Sequence, residues 1–217
     1  CEMCIRDRAK AALLASQGEL PIVVEIITPQ EGSLSIPILT AQAIDGGGRA
    51  SVIKDAGDDP DITHGVEIFA EVQLTPEQPE FVFRAGVGIG TVTLPGLQIP
   101  VGEPAINPVP RQMIINAMRP LLPPGCGAIV TLSIPEGEKL ARRTLNPTLG
   151  IVGGLSIIGT TGIVEPMSEE AFKNSLKPQI SVAKALGFQA IVMVPGKIGQ
   201  DFAVHRYGLP AAAVVQT

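Results

Sequence analysis

Glycine and proline set the scale of what this chain can build. Twenty-four glycines and twenty prolines fall along all 217 residues, and no single tract collects them. Proline stops helices and removes a ladder donor from strands, while glycine marks turns. The chain is therefore expected to fold as many short elements joined by tight turns and loops. Those elements can still enclose a sizeable core. Of the residues 45% are hydrophobic and 17% charged, which suits one large domain or two smaller ones and argues against disorder.

Two shortages narrow the partners. The chain has no Trp, one Tyr and six Phe, too few for the stacking platforms of single-strand nucleic-acid binders. Its net charge of −5 disfavours a polyanion backbone, whereas a small anionic ligand needs only a local basic cluster. No basic start is followed by an apolar run, so no secretory signal is read. Residues 144–164 carry no charge but hold five glycines and Pro147. They read as a buried strand and glycine-rich turns, not as a membrane span. Neither nucleic acid nor a membrane is expected as a partner. The Cys1-x-x-Cys4 pair has no preceding strand and no second pair. It is read as incidental thiols in a reducing compartment, which makes the expected location cytoplasmic.

Periodicity gives the coarse fold. Residues 9–15 favour helix, and residues 21–28, 36–44 and 50–54 favour strands. Asp45-Gly46-Gly47-Gly48 reads as a loop. Val66, Ile68, Ala70, Val72 and Leu74 alternate with polar residues, the mark of a half-buried strand. Residues 80–84 alternate likewise and are expected to pair with it as a hairpin across Thr75-Pro76-Glu77-Gln78-Pro79. A helix is expected over 110–122 and strands over 126–134 and 149–152. A further helix should start at Ser168 as N-cap, kink or restart at Pro178 and stop at Gly187. Apolar runs at 189–194 and 211–215 complete a strand–helix alternation. The expected fold class is mixed α/β. Residues 1–140 form an α+β domain with antiparallel strands, and 141–217 begin a doubly wound, Rossmann-like parallel α/β domain whose last part is missing.

Four segments could carry chemistry. In Lys54-Asp55-Ala56-Gly57-Asp58-Asp59-Pro60-Asp61, with Thr63-His64-Gly65 behind it, carboxylates crowd one loop. A metal, a cationic ligand or a shared proton could relieve their repulsion; a solvated acidic turn is the plain alternative. His64 is a candidate acid or base beside Asp55, Asp58 and Asp59. The spacing is not that of an EF-hand, and no protein metal site is expected. Gly86-Val87-Gly88-Ile89-Gly90 lacks the dinucleotide fingerprint. Its alternate glycines would admit a flat ligand or another backbone. In the segment 102–111 three prolines frame Glu103, Asn107 and Arg111. A cation at a helix start opposes the dipole, and an anionic ligand would explain Arg111 there. Finally Arg142 and Arg143 precede Gly153-Gly154 and Gly159-Thr160-Thr161, glycine turns suited to anions or nucleosides. The phosphate-loop lysine is absent.

Taken in order, these segments resemble the CbiD family, the cobalt-precorrin-5B C1-methyltransferases of anaerobic cobalamin synthesis. The likeness is carried by 52–63, 86–93, Pro95-Gly96-Leu97, 102–111, 141–147, 149–162 and Pro166-Met167-Ser168. It implies an S-adenosylmethionine-dependent methyltransferase that converts cobalt-precorrin-5B to cobalt-precorrin-6A, with the cobalt carried by the substrate. Because that macrocycle bears acetate and propionate groups, Lys54, Glu103, Asn107, Arg111, Arg142 and Arg143 are expected to line its pocket. Asp55, Asp58, Asp59 and His64 are expected near the chemistry. Gly86, Gly88 and Gly90 are expected where ligand approaches, and Gly153, Gly154, Gly159, Thr160 and Thr161 around the methyl donor. The family opens with a Thr-Thr-Gly-x-Cys-Ala-Ala-Ala type segment. Residues 1–8 are expected not to match it and to be foreign, so that the likeness begins near Ala9, and the family is expected to continue past Thr217. The rival reading is a non-catalytic tetrapyrrole carrier, which would keep the basic clusters without a methyl-donor site.

Overall fold

The computed structural model describes residues 5–27, 32–57, 61–157 and 169–217. Its centre is a five-stranded sheet. β3 (Thr40–Ile44), β4 (Gly47–Ile53), β5 (Glu67–Thr75), β8 (Gly127–Ser133) and β6 (Phe81–Ala85) lie side by side in the order β3-β4-β5-β8-β6. Every pairing is antiparallel except β6 with β8, which is parallel. β1 (Val23–Ile27) and β2 (Ser33–Pro37) form a separate antiparallel ribbon. The short β7 (Thr91–Val92) and β9 (Ile151–Val152) form another.

The alternation over 66–74 is realised as read: Val66, Ile68, Ala70 and Val72 are buried. They face α1 (Ile5–Ser16), which packs across β3, β4 and β5 and against α2 (Pro108–Met118). α1 buries Ala9, Ala11, Ala12, Leu13 and Ala15, and with them Arg6, Asp7 and Arg8. It lies so close to the sheet that a Cβ on Gly48 would stand 2.0 Å from the Ala12 carbonyl oxygen. α2 contributes Pro110, Ile114 and Met118 at i, i+4 and i+8, the spacing of one helical stripe.

Several expectations need correction. Residues 36–44 are not one strand, because Pro37 ends β2. Ile38 then donates to the Ile22 carbonyl and Leu39 to that of Ser51, so the chain steps from the ribbon to the main sheet. Gly47 and Gly48 are strand, not loop, and only Asp45 and Gly46 make the turn. The hairpin between 66–74 and 80–84 does not form, since β8 stands between them. β8 buries Ala128, Val130 and Leu132 completely, which suits the centre, whereas β6 exposes Val82, Arg84 and Ala85, which suits an edge. The parallel β6–β8 pair then needs a long crossover, and α2 lies within it.

The rest of the chain builds around α4 (Glu169–Ala185), which continues as one helix through Pro178, and α5 (Gly196–Tyr207), a helix the periodicity does not announce. The cap expected for α4, Ser168, lies outside the described residues. β10 (Val192–Val194) and β11 (Val214–Gln216) pair in parallel with α5 between them. Both are shorter than expected, and Ala211–Ala213 is a 3-10 turn instead of strand. Three glutamines tie this unit together. Gln179 exchanges hydrogen bonds with the Gln216 backbone, the Gln216 side chain donates to Gln200, and Gln200 donates to Thr148. Among the described residues no helix is long and apolar enough to cross a membrane.

Candidate functional site

Strand register brings three loops to one end of the central sheet. Ile53 at the end of β4 faces Glu67 at the start of β5. Phe69 faces Ser133 at the end of β8, and Ala85 at the end of β6 faces Leu132. The segments 54–66, 86–90 and 134–142 therefore leave the sheet side by side.

The acidic loop is stapled by its own side chains. The Lys54 ammonium hydrogen-bonds Asp61 and Thr63 and is largely buried. Asp61 in turn accepts from the Thr63 N–H and hydroxyl. Partial burial alone would raise the Asp61 carboxyl. The hydrogen bonds from Lys54 and Thr63 and the lysine charge outweigh it and hold the group below its ordinary value of 3.8. Asp55 accepts from the Gly57 N–H, an Asx turn. The Ala56 N–H donates to His64 Nδ1 at 3.1 Å, and the nearest Asp55 carboxylate oxygen stands 3.9 Å from that nitrogen. Asp58 and Asp59 lie outside the described residues. Among those described, no three His, Cys, Asp or Glu side chains gather as a metal-binding group.

The glycine segment is organised differently. A Cβ on Gly86 would meet Ser133 Oγ at 2.0 Å, one on Gly88 the Ile134 carbonyl oxygen at 1.9 Å, and one on Gly90 Ile151 Cγ2 at 2.4 Å. Gly154 completes the contact, with the Gly88 carbonyl oxygen 2.1 Å from its missing Cβ. Of the two visitors that alternate glycines admit, the one present is the protein's own chain: backbone at Gly88, and the Ser133 and Ile151 side chains with backbone behind them at Gly86 and Gly90. Hydrogen bonds fasten the layers: Gly90 donates to Leu155, Leu155 to Gly88 and Ala105 to Gly90. Gly153, by contrast, has φ +88° and open space where a side chain would stand. Gly159, Thr160 and Thr161 lie outside the described residues.

Asn146 holds this block from beneath. It is buried, donates through Nδ2 to the Gly154 carbonyl and accepts at Oδ1 from Ser156. Its backbone carbonyl accepts from Leu149 and Ile151. Sequence reading gave Asn146 no role, although a lone amide in an uncharged apolar run is itself a signal, since a buried amide must find partners.

Arg111 closes the third segment. Its guanidinium donates to Glu103 at 2.8 Å and to the carbonyls of Ile106 and Pro104. Glu103 and two carbonyls thus supply the negative partners that the sequence reading sought in a ligand. Asn107 precedes α2 as its N-cap residue but makes no side-chain capping bond. Its N–H donates to Ile157. Arg142 and Arg143 follow α3 (Gly137–Ala141) and are exposed, with Arg142 in a 3.3 Å ion pair with Glu138.

Three of the four sequence segments are thus one hydrogen-bonded block, and the acidic loop stands at the same sheet end with the hydrogen bonds described for it closing within the loop. The surface around them was not legible beforehand. Leu39 (54% exposed), Ile53 (43%) and Val87 (69%) present apolar side chains at this end. His64 and the two arginines are exposed on segments that leave the same end.

The model of the CbiD family matches residues 3–166. The chain belongs to the CbiD family. The family match starts at residue 3 and α1 at Ile5, which corrects the expectation that residues 1–8 are foreign. Among relatives, the cobalt-precorrin-5B C(1)-methyltransferase of Moorella thermoacetica is 53% identical over 215 residues, covering 99% of this chain and 58% of that protein. The enzyme of the same name from Desulfitobacterium hafniense is 49% identical, covering 98% of this chain and 55% of its own length. The crystal structure of the cobalamin biosynthesis protein (cbiD) from Archaeoglobus fulgidus superposes with a TM-score of 0.55 at 27% identity, covering 98% of this chain and 68% of that one. The chain spans little more than half the length of the curated relatives it matches.

Proposed function

We propose that this CbiD chain forms the macrocycle-holding part of an enzyme that transfers methyl from S-adenosylmethionine to C1 of cobalt-precorrin-5B, giving cobalt-precorrin-6A. The observation that carries the reading is the surface at the sheet end. Exposed Leu39, Ile53 and Val87 offer apolar contact to a flat ring, and exposed Arg142 and Arg143 offer charge to its carboxylates. Adjacent strands lie about 4.8 Å apart, so the loop entering β5 and the loop leaving β6, with β8 between them, are separated by roughly 10 Å. A tetrapyrrole can bridge that distance. Lys54 and Arg111 contribute from behind, by fixing the acidic loop and the segment carrying Glu103 and Asn107.

S-adenosylmethionine supplies the methyl group when bound. Gly86, Gly88 and Gly90 offer it no cradle, since neighbouring backbone and the Ser133 and Ile151 side chains fill their space. Gly153, open and in the left-handed region, fits it better, and the donor is assigned to the segment that continues from there into Gly159, Thr160 and Thr161. The protein's contribution is then positioning: it holds carbon, methyl and leaving sulfur in line. The parallel β10–α5–β11 unit is read as the beginning of a doubly wound domain, with the division from the α+β part near residue 141.

The test is transfer of labelled methyl from S-adenosylmethionine to cobalt-precorrin-5B, by this chain and by one extended to the length of its relatives. Label on the macrocycle is expected from the extended chain. Tight macrocycle binding by the extended chain without any transfer would replace the enzyme with a carrier.

A further inference from the structure

His64 is an exposed titratable group of the acidic loop, and its hydrogen bonding decides what it can do. A neutral imidazole carries one N–H donor and one lone-pair acceptor. The Ala56 backbone N–H can only donate, so His64 Nδ1 must accept. The ring proton therefore sits on Nε2. In a histidine that serves as a general base beside a carboxylate, the arrangement is reversed: the carboxylate accepts from Nδ1–H and leaves the Nε2 lone pair free. Here Asp55 stands 3.9 Å from Nδ1 and is engaged with the Gly57 N–H. A second proton at Nδ1 would require the bond from Ala56 to break.

The chain contains its own control, because it has two histidines. His205 Nδ1 lies 2.8 Å from the Asp201 backbone carbonyl. A carbonyl can only accept, so His205 is protonated on Nδ1. The two rings hold opposite tautomers for reasons local to each.

The loop that carries His64 is also fixed in place. His64 N–H donates to the Asp61 carbonyl, Gly65 N–H to that of Lys54, and Lys54 N–H to that of Val66. The Lys54–Asp61–Thr63 staple closes the loop. The side chain is 59% exposed, at the sheet end that presents Ile53 and Val87.

We propose that His64 is a specificity-determining residue for the carboxylate-bearing macrocycle: its Nε2–H donates a hydrogen bond to a side-chain carboxylate of the substrate, and it is not the base of methyl transfer. The inference rests on the reading of the sheet end as the macrocycle site.

Long-range proton–nitrogen correlation spectra of histidine-labelled protein at neutral pH give the first test. They should show His64 protonated on Nε2 and His205 on Nδ1, with His64→Ala removing one set of signals. The second test compares binding of a cobalt corrinoid with free acetate and propionate groups to binding of its esterified form. His64→Ala should weaken binding of the free acid roughly tenfold, the order expected for one hydrogen bond to a charged group. It should leave the ester unchanged. His64→Gln, which keeps an N–H donor at similar reach, should restore most of the loss. In the methyl-transfer assay His64→Ala should raise KM and spare kcat.

An Nδ1–H tautomer at His64 overturns the proposal, as does a His64→Ala variant that binds the free acid normally or loses kcat at unchanged KM. If wild-type protein binds neither corrinoid, the macrocycle reading itself fails, which is a different result from wild-type binding that ignores position 64.

Discussion

The acidic loop and the glycine block occupy the same end of one sheet and are made rigid by opposite means. The loop at 54–66 is held by side chains, with an ammonium, a carboxylate and a hydroxyl closing on one another. The block made of 86–90 and 146–157 is held mainly by backbone hydrogen bonds and by close approach at its glycines, with the uncharged Asn146 amide beneath it. A side-chain staple leaves neighbouring groups such as His64 free to project, and its strength depends on charge state. Backbone packing offers no chemistry of its own, but it is indifferent to pH and intolerant of any added atom.

The sharpest way to break this contrast is Gly88→Ala. The new methyl group would stand 1.9 Å from the Ile134 carbonyl at φ +73°. Overpacking and left-handed strain together should cost about 3–5 kcal/mol. Urea unfolding measures it, and a loss under 1 kcal/mol would mean that the block is not close-packed. Asn146→Ala comes next. It leaves the Gly154 carbonyl and the Ser156 hydroxyl without their partner, at about 2–3 kcal/mol, read in the same titration.

Smaller effects should follow on the other side. Lys54→Met strands a partly buried Asp61 carboxylate and should cost about 1–3 kcal/mol. Hydrogen exchange should accelerate at the Gly65 and Val66 amides and not at Gly90 or Leu155. Acid tests the same staple without mutation. Because the folded Asp61 carboxyl is held below 3.8, its contribution is complete above that value and fades as pH falls through the lower folded value. Exchange at Gly65 should rise selectively over that window. Equal acceleration at Leu155 would show that the two regions do not differ in this respect. The smallest effect belongs to Gly153→Ala. With φ +88° but nothing within reach of a new methyl, only backbone strain of about 1 kcal/mol remains. Two glycines one residue apart, Gly153 and Gly154, should thus differ severalfold in the cost of the same change.

How much of this was legible follows from where the information lies. The strand over 66–74 was readable because burial of one face writes a period of two into the sequence, and α2 because one stripe recurs every turn. β6 was found, but its partner was not, since alternation says which face is buried and nothing about which strand lies alongside. α5 went unannounced because its buried residues, Gln200 and Ala203, make no apolar stripe. Within the candidate site, the motif positions were correct while the partners were not visible. Arg111 against the helix dipole did signal an anion, and the anion is Glu103, eight residues away in sequence.

By itself the sequence determined the local vocabulary: which segments alternate, where glycine and proline permit turns, and which motifs place the chain in the CbiD family. Only the tertiary structure decided that β8 enters between β5 and β6, that the G-x-G-x-G glycines serve close contact with the chain's own neighbouring segments, and that Ala56 sets the proton of His64. The physical reason is the same in each case. Periodicity and propensity are properties of one segment, whereas register, close approach and tautomer depend on the atoms that another segment brings to within about 3 Å.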